Sequence, residues 1–118
     1  MTQEEKELVF KDICARLPYG VKIQVPYEDG SGYFDETVWE VNNEGPFHVN
    51  GWGIEYEYVK PYLFPLSSIT KKTLEELSAY IDIKNAYVAV EFFNSHHIDY
   101  RGLIEKGLAV DATGLNIY

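Results

Sequence analysis

The chain predicts an α+β fold: an N-terminal helix, a small antiparallel sheet of about four strands, two further helices and a loop-rich C-terminal tail, in a single globular domain over residues 1–118. Three features carry this reading. A helix-start signature opens the chain. Apolar–polar alternation follows at 21–25 and 54–59, interrupted by short Gly- and Asn-containing turns. Helical spacing then returns after residue 69.

The first helix begins at a capping box, Thr2 with Glu5, in which each side chain satisfies a backbone N–H that the first turn leaves without a partner. Phe10, Ile13, Cys14 and Leu17 fall at i, i+3, i+4 and i+7 and predict one apolar stripe, and Pro18 and Gly20 stop the helix. Val21 to Val25 alternates as a half-buried strand, and Glu28-Asp29-Gly30-Ser31-Gly32 is a turn. Thr37 to Val41 reads as a second strand closed by Asn42-Asn43-Glu44-Gly45, and Phe47 to Val49 as a short third ended by Asn50-Gly51. Ile54 to Val59 alternates again, with Ile54, Tyr56 and Tyr58 on one face. Short connections between four strands predict an antiparallel meander.

Lys60 to Pro65 is expected to leave the sheet, because Pro61 and Pro65 lack the N–H that a central strand donates. Thr70 is the expected N-cap of a second helix that buries Leu74, Leu77 and Ile81. The β-branched content of 86–93 permits a strand, but a third, largely buried helix starting after Asn85 is favoured. Beyond His97 the chain reads as irregular or briefly helical from Leu103 to Lys106, and Asp111 to Tyr118 as the tail. No repeat, low-complexity tract or linker divides it.

Charge is distributed unevenly. Between Lys22 and Lys60 stand eight acidic residues, eight aromatics and no lysine or arginine, so this third of the chain holds most of the formal net charge of −9. A one-signed field of this kind repels phosphate and attracts cationic partners. Broad electrostatic binding to nucleic acid is disfavoured, since it needs Lys and Arg to displace counterions. No apolar run approaches the roughly 20 residues that span a bilayer. The polar, acidic start at Met1-Thr2-Gln3-Glu4-Glu5 is unlike a signal peptide, and the single Cys14 cannot form an internal disulfide. The sequence therefore reads as a cytoplasmic protein, with no membrane partner and no cofactor.

The densest set of chemically capable side chains is Asn94-Ser95-His96-His97-Ile98-Asp99-Tyr100-Arg101-Gly102. A catalytic arrangement would make His96 or His97 a general base oriented by Asp99, with Arg101 clamping an anion. A structural role weighs more: both histidines would lie in the last turn of a helix, where imidazoles meet free carbonyls, and Asp99 and Arg101 could pair with each other or staple the next loop. A metal site is disfavoured, because adjacent histidines diverge on a helix or a strand, Arg101 adds positive charge, and His48 is remote in sequence.

Other chemistries find less support. Cys14 sits in an apolar stripe, where burial would raise its pKa. Gly30-Ser31-Gly32 and Gly51-Trp52-Gly53 are turn glycines that extend into no phosphate-binding motif. Ser67-Ser68 lies near a helix start and suits capping. Glu55 and Glu57 alternate on a strand as a solvated face would. Trp52, between two glycines, is either an exposed binding anchor or a cap on the sheet.

Three segments, Leu17-Pro18-Tyr19-Gly20-Val21-Lys22, Lys60-Pro61-Tyr62-Leu63-Phe64-Pro65-Leu66-Ser67-Ser68 and His97-Ile98-Asp99-Tyr100-Arg101-Gly102-Leu103-Ile104, together resemble a family of short uncharacterised proteins from prophages and mobile elements of gut anaerobic bacteria. The chain departs from that family's pattern at Phe64, where a basic residue often stands. The resemblance implies a bacterial or phage cytoplasmic origin and an accessory role. It carries over no catalytic residue.

The leading expectation is a non-enzymatic accessory protein that binds another protein with a basic surface. Trp39, Trp52, Tyr56 and Tyr58 are its candidate anchors, and Glu40, Glu55 and Glu57 its polar rim. A variant is an acidic nucleic-acid mimic that inhibits a DNA-binding protein. The alternative from another class is a small enzyme or ligand-binding protein centred on His96, His97, Asp99 and Arg101. Direct nucleic-acid binding through Lys71, Lys72, Lys84 and Arg101 ranks last, and the sequence fixes no oligomeric state.

Overall fold

The structure, a computed structural model, describes residues 1–42, 48–53, 58–69, 75 and 86–118; at 48, 52, 53 and 86–88 it describes the backbone alone. The expected helix over 70–81 lies outside the described residues except at Glu75, which is helical, and most of the expected strand over 54–59 lies outside them too. Among the described residues no helix is long and apolar enough to cross a membrane.

The capping box opens helix α1 (Gln3–Arg16) as the sequence predicts: Glu5 N–H donates to Thr2 Oγ1 at 3.1 Å and Thr2 N–H to Glu5 Oε1 at 2.9 Å. The buried stripe, however, is Val9, Asp12, Ile13 and Arg16, one residue out of phase with the apolar pattern at 10, 13, 14 and 17. The helix is rotated because an ion pair, Asp12 with Arg16, goes inside, while Phe10 and Leu17 stay partly buried at its flanks. A 3₁₀ turn (Leu17–Tyr19) ends at Gly20, in the left-handed region at φ 70°.

Strands β1 (Lys22–Pro26) and β2 (Tyr33–Thr37) form an antiparallel hairpin that places Ile23 opposite Glu36 and Val25 opposite Phe34. The second strand thus lies four residues earlier than the sequence suggests. Strands β3 (Val41–Asn42), β4 (His48–Val49) and β5 (Trp52–Gly53) make a separate antiparallel sheet. Its β4–β5 hairpin turns on Asn50 and Gly51, both at positive φ (53° and 80°), as a two-residue type I′ turn requires.

The expected exit at Lys60 is corrected. Strand β6 (Lys60–Pro65) pairs antiparallel with β1 and parallel with β7 (Ile98–Asp99) and β8 (Val110–Asp111), so the larger sheet is mixed rather than antiparallel. Two prolines are tolerated because no ladder runs the length of the strand: β1 pairs at 60–61, β8 at 62–63 and β7 at 64–65. A 3₁₀ turn (Leu66–Ser68) follows, within which Ser68 Oγ donates to Pro65 C=O at 2.6 Å.

Residues 86–95 are helical, forming α2 (Ala86–Ser95). The expected tail is also corrected: Val110–Asp111 joins the sheet, and the last residues are pinned to it. Continuing the β1–β6 register would set Lys22 opposite Tyr62, and at that rung the Tyr118 hydroxyl stands in. It accepts from Lys22 N–H at 2.9 Å and donates to Tyr62 C=O at 2.8 Å, while Lys22 Nζ donates to Ile117 C=O at 2.8 Å. The core under the sheet is built from Val9, Ile13, Val21, Ile23, Leu63 and Leu103, all fully buried.

Candidate functional site

The polar groups consecutive at 94–102 are each engaged in different places. His96 is exposed and packs on Phe92, with ring centroids 4.3 Å apart. His97 caps α2 in the left-handed conformation (φ 57°): its N–H donates to Asn94 C=O at 3.2 Å and its C=O accepts from Phe64 N–H at 2.8 Å. Its ring is buried flat against Tyr118, 3.8 Å between centroids and 9° between planes, and its Nδ1 is buried without a hydrogen-bond partner. Burial first, then the charges of Arg16 and His96, pushes His97 down to about 4, so the imidazole is neutral at pH 7.

Asp99 folds onto the following loop. Its two carboxylate oxygens accept from Leu103 and Ile104 N–H, both at 2.9 Å. Arg101 reaches Asp12 instead, Nη1 to Oδ1 at 2.7 Å, and lies over the Tyr100 ring at 4.4 Å. Asp12 also holds Arg16 by two bonds, Nε at 2.9 Å and Nη2 at 3.1 Å. Arg16 in turn donates to Phe93 C=O at 3.2 Å and Ile98 C=O at 2.6 Å. Both arginines of the chain therefore serve to tie α1 to α2 and β7 around one buried carboxylate. Tyr100 closes the group by donating to Asn94 Oδ1 at 3.0 Å. The general base, its orienting acid and the anion clamp that a catalytic reading needs each have a separate structural partner. Among the described residues no group of three or more His, Cys, Asp or Glu could hold a metal ion. Cys14 is partly buried, and desolvation raises its thiol pKa.

The acidic, aromatic segment presents a different surface. Tyr33 and Trp39 are 63% and 65% exposed, Tyr58 56% and Tyr27 48%. Glu28, Asp29, Asp35 and Glu40 are exposed beside them. Hydrogen bonds from the Ser31 hydroxyl and N–H hold the Asp29 carboxyl below the usual carboxylate range. Asp35 also accepts from the Tyr62 hydroxyl, whose pKa burial and that bond push up to about 12. Of the predicted anchors and rim, Trp39, Tyr58 and Glu40 are thus at the surface; Tyr56, Glu55 and Glu57 lie outside the described residues, and Trp52 is placed by its backbone in β5.

Asn50 organises this surface, and sequence reasoning assigned it only to a turn. Its buried amide oxygen accepts from Trp39 N–H at 2.8 Å and Glu40 N–H at 3.1 Å, while its Nδ2 donates to Thr37 C=O at 2.7 Å and Glu36 Oε1 at 3.3 Å. One side chain so fixes the backbone that carries Trp39 and Glu40. The Asn-Gly pair was the available signal, since it marks a type I′ turn, but the pair does not say which segment the side chain will grip.

Compared with known protein families, characterised proteins and solved structures, the chain matches none.

Proposed function

We propose that this chain is a non-enzymatic accessory protein that binds another protein with a basic surface through the acidic, aromatic face around β2. The observation that carries this reading is the pairing of Tyr33 and Trp39, each more than three-fifths exposed, with the carboxylates of Asp35 and Glu40. Large aromatics left in water beside a polar rim are what interface anchors require. The surrounding negative field would speed encounter with a basic partner and make it sensitive to salt. The resemblance to prophage and mobile-element proteins supports an accessory role in that setting. The dispersal of His96, His97, Asp99 and Arg101 among structural partners weighs against the enzymatic alternative.

The test is capture from a native-host lysate on the tagged protein, washed at low and then at high salt. A stoichiometric partner with a basic surface, held at low salt and released at high, is expected; a nuclease or repressor in that fraction would specify mimicry of nucleic acid. A partner indifferent to salt, or none at either concentration, would contradict the proposal.

A further inference from the structure

The hairpin register fixes which backbone groups of β2 face outward. Tyr27 N–H donates to Gly32 C=O and Val38 N–H to Val21 C=O. Hydrogen-bonded pairs in an antiparallel ladder recur every second residue, so Phe34, Glu36 and Val38 bond to β1. Tyr33, Asp35, Thr37 and Trp39 therefore turn their N–H and C=O groups to the other edge. β2 is the terminal strand of its sheet, so no strand covers that edge among the described residues.

Part of this edge is already occupied, and the manner is informative. The Asn50 side-chain amide donates to Thr37 C=O and accepts from Trp39 N–H, two bonds that a neighbouring strand would make with its backbone. The amide closes the edge at 37–39. Among the described residues nothing bonds the N–H and C=O of Tyr33 and Asp35 or the N–H of Thr37. Natural edges are protected by charged side chains, proline, bulges or short strands. β2 has no proline or bulge, its protection is negative charge at Asp35 and Glu36, and on its outward face stand Tyr33, Asp35 and Thr37.

We infer that the open edge of β2 at Tyr33–Thr37 is a strand-addition site for an extended, lysine- or arginine-bearing segment of a partner protein. This inference rests on the protein-binding reading and specifies how the partner is held. Main-chain bonds to Tyr33, Asp35 and Thr37 fix the register, and side chains on alternate residues of the segment lie beside Tyr33 and Asp35. Charge decides the occupant. A second copy of this chain, added edge to edge, would bring together two faces that both carry Glu28, Asp29, Asp35 and Glu40, and like charges across strands oppose pairing. A cationic segment meets the same groups as opposite charges. Trp39, beyond the segment's end, offers a flat apolar contact for its last residue.

The probe is a short peptide alternating lysine with threonine or valine, and its control carries the same side chains with alternate amides N-methylated, which keeps charge but removes one ladder edge. The intact peptide is expected to slow amide exchange at Tyr33, Asp35 and Thr37 by at least about tenfold, leaving Phe34 and Glu36, already bonded to β1, unchanged. The methylated peptide should leave all of them unchanged. Tyr33→Pro removes an outward N–H at the first residue of an edge strand, where proline is tolerated, so the fold is kept and peptide protection is lost; Tyr33→Ala controls for the missing ring. Equal binding of both peptides, or equal binding to Tyr33→Pro and Tyr33→Ala, would overturn strand addition while leaving charge-driven protein binding intact. Binding of neither peptide would overturn the inference too, and lysate capture would then judge the protein-binding reading separately.

Discussion

Two polar regions of this molecule differ in what their side chains are free to do. In the first, around Asp12, Arg16 and Arg101, charged groups are buried or nearly so and bonded to one another and to the backbone of α2 and β7. In the second, along β2 and the residues after it, carboxylates and aromatics face water and no described strand covers the edge. The first region looks reactive in sequence because His, Asp and Arg stand close together, yet Asp99 and Arg101 are bonded to the next loop and to Asp12, and the His97 ring is stacked on Tyr118. The second contains no such cluster, and its aromatic rings and outward backbone groups have few partners among the described residues. Chemical density along a chain thus says less about function than what folding leaves unpaired.

Breaking the buried region should cost the most. Asp12→Ala would strand Arg16 in the interior without its counter-ion and destabilise the fold by about 3–5 kcal/mol, read as a lower denaturant midpoint. His97 gives the next largest effect. The unfolded imidazole takes up a proton near 6.5 and the folded one only near 4, so the unfolded state holds more protons between those values. Stability present above 6.5 is therefore lost as pH falls toward 4, by up to about 3 kcal/mol. His97→Asn keeps a residue that tolerates the left-handed backbone and should remove this part of the pH dependence, seen as a smaller difference between denaturation at pH 7 and pH 4.5.

How much of this was legible in the sequence follows the range of the interactions. The Thr2–Glu5 box, the alternating strand at 21–25 and the helical reading of 86–93 depend on neighbours within a few residues, and they correspond to observed elements. The role of β6 did not, because it depends on parallel strands more than thirty residues later, each only two residues long, which leave no periodicity to read. The phase of α1 was displaced by the same cause: the apolar pattern at 10, 13, 14 and 17 leaves out Asp12 and Arg16, although their i, i+4 spacing permits a pair, and the carbonyls that make burial of Arg16 possible come from Phe93 and Ile98. In the candidate site, Trp39 and Tyr58 are exposed, as an aromatic-rich surface segment permits, whereas the Asn50 clamp and the Tyr118 rung needed three dimensions.

Smaller effects sharpen the contrast from the other side. Asn50→Ala removes four hydrogen bonds and leaves Trp39 N–H and Thr37 C=O without their partner; a loss of about 1–3 kcal/mol is expected, with faster exchange at Trp39 and Glu40. Tyr118→Phe deletes the hydroxyl rung between Lys22 and Tyr62 and should cost about 1–2 kcal/mol, with exchange rising at Lys22. Trp39→Ala, at the exposed face, should shift stability by no more than about 0.5 kcal/mol.

The central claim, that binding resides on the β2 face while the His-Asp-Arg segment serves the fold, is tested most directly by capturing the salt-released partner on two variants side by side. Tyr33→Ala/Trp39→Ala should retain wild-type stability and lose at least about tenfold of the captured partner, whereas His96→Ala/Arg101→Lys should capture it undiminished. Loss of the partner on the second variant and full retention on the first would place function in the C-terminal segment and contradict the account.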